Sequence, residues 1–527
     1  MATVGKNILD NLTTGMYSDS KVIYREYIQN ACDQIDLAMK MGILAPDEGC
    51  VDILIDDKKR YISIRDNATG VKHDLFAADL GDIANSNKEI GKNKGFRGIG
   101  RLCGLAYCKM LKFTTSYKGE KVKSSMICDA QMMRKMLYEN VKYTLDEIWD
   151  TIVSFEEEPE QADAHYFEVE LFNINPENTD LLNKSLIREY LSFVAPVPYS
   201  ANFIFSEKIY AHAQKLDYHI DEYSIRVNGA EIFKEYTTRL KDVSGSKTKT
   251  YDEISSIYLH DFTDESGNLI AWMWIGLSRF EKQIPKVNQM RGIRLRSANI
   301  QIGGDDVLQE LFKESRGNYY FVGEVFAVDD GLIPNSQRDY FNENETRVVF
   351  EDLLSAYFSS ELHTIYYTAN NIKNAFKRQE EYLGKVQEYK KKSENHGFVD
   401  SEEKKKLLFE MDKSKDEAEK ARKTIQKYQT IARADEKANE DEKVPLASVY
   451  RNIDKKFNAE QLTEKAFSTT IPNAEQEDNG KKYVTTGMSK LSRSERKLVI
   501  KILTIITSNA PKDVAETIIE KIKEEMR

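Results

Sequence analysis

The apolar and polar positions of the chain fall into stretches with different periods. In "YREYIQNACDQI", residues 24–35, Tyr24, Tyr27, Ile28, Ala31 and Ile35 recur at helical spacing, which predicts a buried helix. The same helix carries Glu26, Asn30 and Asp33 at offsets of four and three residues, so the three polar groups share one face. "VDILIDDKKRYISIRD" alternates around a charged turn and predicts a β-hairpin. "MLKFTTSYKGEKVKSSMICD" does the same with Lys118-Gly119 at its tip, and "HYFEVELFNI" predicts a further strand. Residues 1–190 therefore read as one mixed region of helix and strand. A second spans 191–350, with strand-like "IAWMWIGLSRF", "GIRLRSANIQI" and "NYYFVGEVFAV".

Beyond residue 350 the period becomes helical throughout. "FKRQEEYLGKVQEYKKK" and "EEKKKLLFEMDKSKDEAEKARKTIQKYQTI" are charged, with Met411, Ala418 and Ile425 at heptad spacing. Gly397 suits the end of the first helix, and Asp400 or Ser401 the cap of the second. Residues 351–433 thus predict a helical hairpin or coiled coil, with solvated single helices as the alternative. Residues 434–490 are polar and read as linker-like, and 491–527 as a C-terminal helical pair divided at Ser508-Asn509-Ala510-Pro511. Val514, Ile518, Ile522 and Met526 form a stripe that needs a partner surface, either the neighbouring helix or another chain.

Composition narrows the classes. The chain has 527 residues, 41% hydrophobic and 31% charged, which suits a globular protein of about three or four domains. Lys and Arg number 76 against 86 Asp and Glu, a formal charge of −10. That balance argues against a surface built mainly for nucleic acid, although a local basic groove is compatible with it. No apolar run has the length of a membrane span, and the N-terminus lacks a signal-peptide pattern. The expectation is a cytoplasmic protein with no membrane partner. Five cysteines and seven scattered histidines suggest neither a disulfide framework nor a zinc site.

Two further segments give the polar helix face a context. "YISIRDNATGV" runs a strand into Asp66 and then into a turn with Gly70. A carboxylate at a buried strand end can accept from an exocyclic amine, and a glycine lets backbone approach a ring closely. A plain turn aspartate is the alternative. "NKGFRGIGRLCGLAYCKML" then feeds Gly95, Gly98 and Gly100 into an apolar helix near Arg101. Such a glycine-rich loop offers backbone N–H groups and a positive dipole end suited to phosphate.

In this order, the three segments resemble the GHKL class of ATPases, which includes gyrase, the ninety-kilodalton heat-shock chaperone, histidine kinases and MutL. "MYSDSKVIYREYIQNACDQID" looks like the chaperone's first helix and "LGDIANSN", with Asn85 and Ser86, like its lid entrance. "GFRGIGRLCG", with Phe96, Arg97 and Ile99 among its glycines, is similar to the loops of both the chaperone and MutL. The resemblance implies an α+β protein: an N-terminal α/β sandwich of the GHKL or Bergerat type, then a second α/β transducer domain over 191–350. It further implies ATP and Mg²⁺ as ligands. Glu26 would orient and deprotonate the attacking water, Asn30 would ligate Mg²⁺, Asp33 would line the pocket and Asp66 would hold adenine. "DDGLIPNSQRDYF" resembles the chaperone's transducer loop, with Asn335 and Arg338 in place and Arg338 directed at the γ-phosphate.

Two departures stand out. Asp66-Asn67-Ala68-Thr69-Gly70 has alanine where the family usually has glycine, and Gly-Thr is missing before "HYFEVEL". A left-handed Ala68 would cost about 1 kcal/mol or more, so a different turn is expected. Arg294 and Arg296 of "MRGIRLRSANIQIGG" share a strand face, as a polyanion or partner surface or as solvated arginines on an edge strand.

The functional expectation is an ATP-hydrolysing conformational clamp that homodimerises on ATP and gates a partner protein through its helical C-terminal region, as in bacterial anti-phage systems. The rivals are a DNA-handling clamp resembling MutL and MORC proteins, a general folding chaperone, and a non-hydrolysing nucleotide-sensing scaffold.

Overall fold

The computed structural model describes residues 5, 6, 9, 11, 13, 19–81, 100–244, 247–394, 398, 401–438, 443–468 and 490–526. The chain divides into two units, residues 1–276 with 282–363, and residues 277–281 with 364–527.

In the first unit, the apolar face of helix α1 (Val22–Lys40) buries Ile23, Tyr24, Tyr27, Ile28, Ala31 and Ile35. It packs on an eight-stranded sheet. The strands are β1 (Cys50–Asp56), β2 (Tyr61–Asp66), β3 (Met110–Ser116), β4 (Val122–Asp129), β5 (Val153–Pro159), β6 (Tyr166–Phe172), β7 (Ser224–Val227) and β8 (Ala230–Glu231). Their order is β5-β4-β3-β6-β2-β1-β7-β8, antiparallel except that β1 and β7 run parallel. Period-two alternation sets the register of the first hairpin. Ile53 opposes Ile64 and Ile55 opposes Ile62, all buried, while Leu54 stays 48% exposed. The second hairpin turns at Lys118-Gly119, with Gly119 at φ 98.

The same unit continues into a β9–β10 hairpin (Arg239–Ser244, Lys247–Glu253) and a five-stranded sheet. That sheet contains β11 (Ser256–Thr263), β12 (Leu269–Leu277), β13 (Gly292–Ser297), β14 (Ile300–Ile302) and β15 (Val322–Ala327), in the order β11-β12-β15-β13-β14. Strand β13 lies between two others, so Arg294 and Arg296 are not edge residues, and both are buried. Arg296 pairs with the buried Glu324, which also receives Lys234 Nζ at 3.2 Å, Trp274 Nε1 at 3.2 Å, Tyr236 Oη at 3.1 Å and the Tyr199 hydroxyl. Burial by itself would raise the Glu324 pKa, but the Arg296 guanidinium and Lys234 ammonium outweigh it and hold the carboxyl down at about 2. This sheet therefore closes over a buried ionic cluster in which Arg296 and Lys234 share Glu324. Burial removes Arg294 and Arg296 as a solvent-facing polyanion surface.

The second unit is helical. Helices His363–Glu394 and Ser401–Asp435 bury Tyr382, Val386, Tyr389, Leu407, Leu408, Met411 and Ala418 in one cluster. Lys385 Nζ reaches the Glu410 carbonyl at 3.3 Å and Lys392 reaches Glu403 at 3.2 Å. These pairs run in opposite directions along the chain, so the helices are antiparallel. Gly397 and Asp400 lie outside the described residues. Within the stretch read as linker, two helices form, Pro445–Phe457 and Ala459–Phe467. Their Ala447, Val449, Tyr450, Ile453, Leu462 and Ala466 are buried, and Asn458 at φ 54 makes the corner between them. Few but regularly spaced apolar residues are enough here because a partner surface covers them.

The C-terminal pair, Arg493–Asn509 and Lys512–Glu525, breaks at Ala510-Pro511. A Ser492/Glu495 capping box starts it. The C-terminal stripe splits: Ile522 and Met526 pack with Val499 and Leu503, while Val514 and Ile518 are exposed. Among the described residues, no helix is long and apolar enough to cross a membrane.

Candidate functional site

Helix α1 supplies the first wall of the site. Glu26 and Asp33 are buried at 8% and 6% exposure, and Asn30 on the same face is half-buried. The chain that follows the glycine-rich segment closes against this face as a 3₁₀ turn, Gly100–Ala106. Tyr27 fixes that turn, its hydroxyl accepting from the Gly104 N–H at 3.0 Å and donating to the Arg101 carbonyl at 3.0 Å. Gly100 is thereby pressed onto the Glu26 carboxylate, so that a β-carbon at Gly100 would lie 2.7 Å from Glu26 Oε2. Asn85, Ser86, Gly95, Phe96, Arg97, Gly98 and Ile99 lie outside the described residues.

Asp66 forms the second wall. It ends β2, between β1 and β6, and is 4% exposed. Its carboxylate accepts from the Ala68 N–H at 3.0 Å, yet burial pushes its pKa up to about 7. The turn after it is left-handed at Gly70, φ 68, and not at Ala68. A β-carbon at Gly70 would overlap the Ser116 carbonyl oxygen, so β3 packs directly on the turn backbone. Thr115 Oγ1 accepts from the Val71 N–H at 2.9 Å and donates to the Tyr166 carbonyl at 2.8 Å, and His165 Nδ1 lies 2.8 Å from the Ala68 carbonyl. Thr69 Oγ1 donates to Gln34 Oε1 at 2.9 Å, which ties the turn to α1. Gln34 is two helical turns beyond Glu26, about 12 Å along the axis.

The third wall comes from the loop after β15. Arg338 is buried at 7% exposure and adopts φ 55, left-handed for a side chain with a Cβ. Its N–H donates to the Asn335 carbonyl at 3.2 Å and its carbonyl accepts from the Gly303 N–H at 2.9 Å. The Asn335 amide donates to Asp339. Arg25 joins this turn to α1: its Nη2 donates to the Gln337 carbonyl at 3.0 Å and lies 3.4 Å from Glu26 Oε1.

Of the residues singled out in the sequence, Glu26 and Gly100 are therefore in contact, Arg25 links Glu26 to the turn that carries Asn335 and Arg338, and Asp66 and Gly70 sit together further along α1. Sequence reasoning passed over Arg25, Gln34, Thr115 and Gln337. Arg25 had one signal, a basic residue next to the carboxylate that leads the polar face. The others are specified only by strand and turn packing.

No family model matches the chain. Part of it is similar to proteins named chaperone protein HtpG. The protein of Gluconobacter oxydans is 34% identical over 90 residues, covering 16% of this chain and 14% of the relative. That of Paramagnetospirillum magneticum is 35% identical over 91 residues, again 16% and 14%. That of Roseobacter denitrificans is 29% identical over 85 residues, 15% and 14%. The chain thus spans 14% of the length of each of these curated relatives. This is a coarse, partial likeness to a chaperone.

Proposed function

We propose that the first unit is an ATP-binding and ATP-hydrolysing switch of the GHKL, heat-shock chaperone-like kind. One observation carries this reading: a buried carboxylate, Glu26, lies against Gly100 at the end of a glycine-rich segment and is joined through Arg25 to the turn that bears Arg338. The partial likeness to HtpG supports it.

In this reading Glu26 orients the attacking water and accepts its proton, since a carboxylate beside a backbone-lined phosphate site is placed for general-base work. Asn30 would hold Mg²⁺ through its amide oxygen, the ion taking its remaining ligands from phosphate and water. Asp66 receives the adenine amine, and Gly70 admits close approach of the ring. Asp33 lines the pocket. Arg338 meets the γ-phosphate from the second sheet, a charged fork suited to its oxygens. The separation of about 12 Å between the Asp66 turn and Glu26 along α1 fits a nucleotide laid along the helix.

The wider role follows from coupling these walls. Nucleotide would favour the arrangement in which Arg338 is docked, pair two copies of the first unit, and pass that state to a partner protein through the helical second unit. Such a cycle requires tighter binding to the closed state than to the open one. Arg294 and Arg296 give the DNA-handling rival no basic surface, because both are buried. Equilibrium binding of ADP to the wild-type chain and to Asp66→Asn tests the nucleotide site, and equal affinity would overturn the adenine assignment. Light scattering with a non-hydrolysable ATP analogue tests the pairing, and an unchanged mass would overturn it.

A further inference from the structure

Strand β12 (Leu269–Leu277) is buried from Ile270 to its end and has β11 and β15 on its two sides. Ladder bonds on both edges and packed apolar side chains make it a stiff element. At its start, the Ile270 carbonyl accepts from the Val328 and Asp329 N–H groups at 3.0 and 3.2 Å. There the chain leaves β15 for the turn that carries Arg338. At its other end, Leu277 and the next four residues belong to the second, helical unit. One strand thus runs from the root of the Arg338 loop into the helices.

Residues 277–281 form a strap within the helical unit. Phe280 is 1% exposed and adopts φ 51, left-handed for a side chain with a Cβ. Its N–H donates to Ser278 Oγ at 3.0 Å. Strained backbone of this kind persists where its surroundings over-determine it, and it clusters at switch regions. Two helices supply the constraint. The buried Lys373 ammonium donates to the Phe280 carbonyl, and Lys456 Nζ lies 2.8 Å from Glu281 Oε1. Within the strap, Arg279 Nε lies 3.5 Å from the same carboxylate oxygen. Burial by itself would raise the Glu281 pKa, but Lys456, Lys373 and Arg279 outweigh it and hold the carboxyl below its ordinary range. Arg338, beyond the other end of β12, is likewise buried and left-handed. Strained residues therefore stand at both ends of one path.

We propose that β12 and the Leu277–Glu281 strap form a lever that couples the Arg338 loop to the helical unit, with Phe280 as its seat and Lys373 and Lys456 as its latch. The lever itself rests on the strand and the strap; nucleotide as its driver rests on the ATPase reading. A shift of the Arg338 loop acts on Ile270, the strand moves as one body, and Phe280 delivers the shift to the helices. Packed elements transmit such shifts because they switch between discrete arrangements and do not deform continuously.

Hydrogen–deuterium exchange of the full chain, followed by mass spectrometry, tests the lever in two arms. Without nucleotide, Lys373→Met removes half of the latch and keeps an apolar chain of similar length. Exchange is expected to rise about tenfold or more in the strap and, with it, in β12, as coupled segments open together. Faster exchange in the strap with β12 unchanged overturns the lever, as does no change in either. Where the melting profile shows that Lys373→Met does not fold, Glu281→Gln takes its place, because Glu281 is partly exposed and the amide keeps its shape. In the second arm, a non-hydrolysable ATP analogue with Mg²⁺ is expected to slow exchange in the 66–71 turn, the strap and helix His363–Glu394 of the wild type. In Glu281→Gln the turn should still respond, while the strap and helix should not. An equal response of the helix in both proteins overturns the lever. Failure of the analogue to protect the turn in the wild type removes the ATPase reading, and the nucleotide-free arm then decides the lever alone.

Discussion

Gly100 and Glu26 touch so closely that the glycine α-carbon forms one side of the carboxylate's seat, with room for no β-carbon beyond 2.7 Å from Oε2. Contacts below about 3 Å between a methyl group and a charged oxygen force one of them to move. Gly100→Ala is therefore expected to displace Glu26 and lower ATP turnover by about tenfold or more, as displaced catalytic groups do. Nucleotide affinity should change far less. Turnover equal to wild type, measured as steady-state phosphate release, would remove Glu26 from the water-activating position.

Gly70 is constrained from two sides, by φ 68 and by the Ser116 carbonyl behind it. Gly70→Ala combines a left-handed penalty with steric overlap of a neighbouring strand, about 2 kcal/mol or more together. A lower melting temperature with loss of ADP binding is the expected result. Ala68→Gly touches neither constraint, because Ala68 does not adopt positive φ, and should leave ADP binding close to wild type.

Asp66 gives a pH signature. Burial raises its pKa to about 7, so the free folded protein holds a proton there from the ordinary carboxylate range up to neutrality. The unfolded chain has already lost that proton, and the contribution of Asp66 to stability therefore declines as pH rises through this window. An acceptor for the adenine amine is best ionised, so binding should expel the proton. ADP affinity is then expected to fall by up to about tenfold per pH unit below about 7 and to level off above it. Calorimetry in buffers of different ionisation enthalpy would report the released proton, and a flat profile from about pH 6 to about pH 8 would exclude this role.

Glu324 tests the ionic core of the second sheet. Its replacement by alanine leaves Arg296 and Lys234 buried without their counter-charge, which is expected to cost about 3–5 kcal/mol. Because its folded pKa is depressed to about 2, its stabilisation is complete above the ordinary glutamate range. It is lost as pH falls from there toward 2. Chemical unfolding of Glu324→Ala at neutral pH, followed by tryptophan fluorescence at Trp272 and Trp274, measures the effect. A shift smaller than about 1 kcal/mol would mean that the pairing contributes little.

Much of the fold lies in simple periodicities. The buried face of α1 and the Ile53–Ile64 register follow from spacing alone, as does the break at Ala510-Pro511. Arg294 and Arg296 were harder, because alternation assigns two residues to one face without saying which strand pairs beside them. Only the neighbour Glu324, brought from 28 residues on, turns that face into a core. The helices of 445–467 escaped for a related reason, since their short apolar sets look like linker until a partner surface covers them. In the candidate site, residue type and spacing pointed to the polar face with Glu26 and to Asp66, while the resemblance of its loop to the chaperone's pointed to Arg338. Long-range contacts fixed the parts that spacing cannot reach: Arg25 bridging to Gln337, and Thr115 supporting the Gly70 turn.

The proposed function assigns Glu26 as the general base of an ATPase. The direct measurement is ATP hydrolysis by the full chain and by Glu26→Ala, with nucleotide affinity determined on the same preparations. Removal of a general base leaves binding in place and lowers the chemical step by about 10²–10⁴-fold. ADP affinity within about threefold of wild type and turnover reduced at least about a hundredfold are expected. Turnover in Glu26→Ala equal to that of the wild type would exclude Glu26 as the general base.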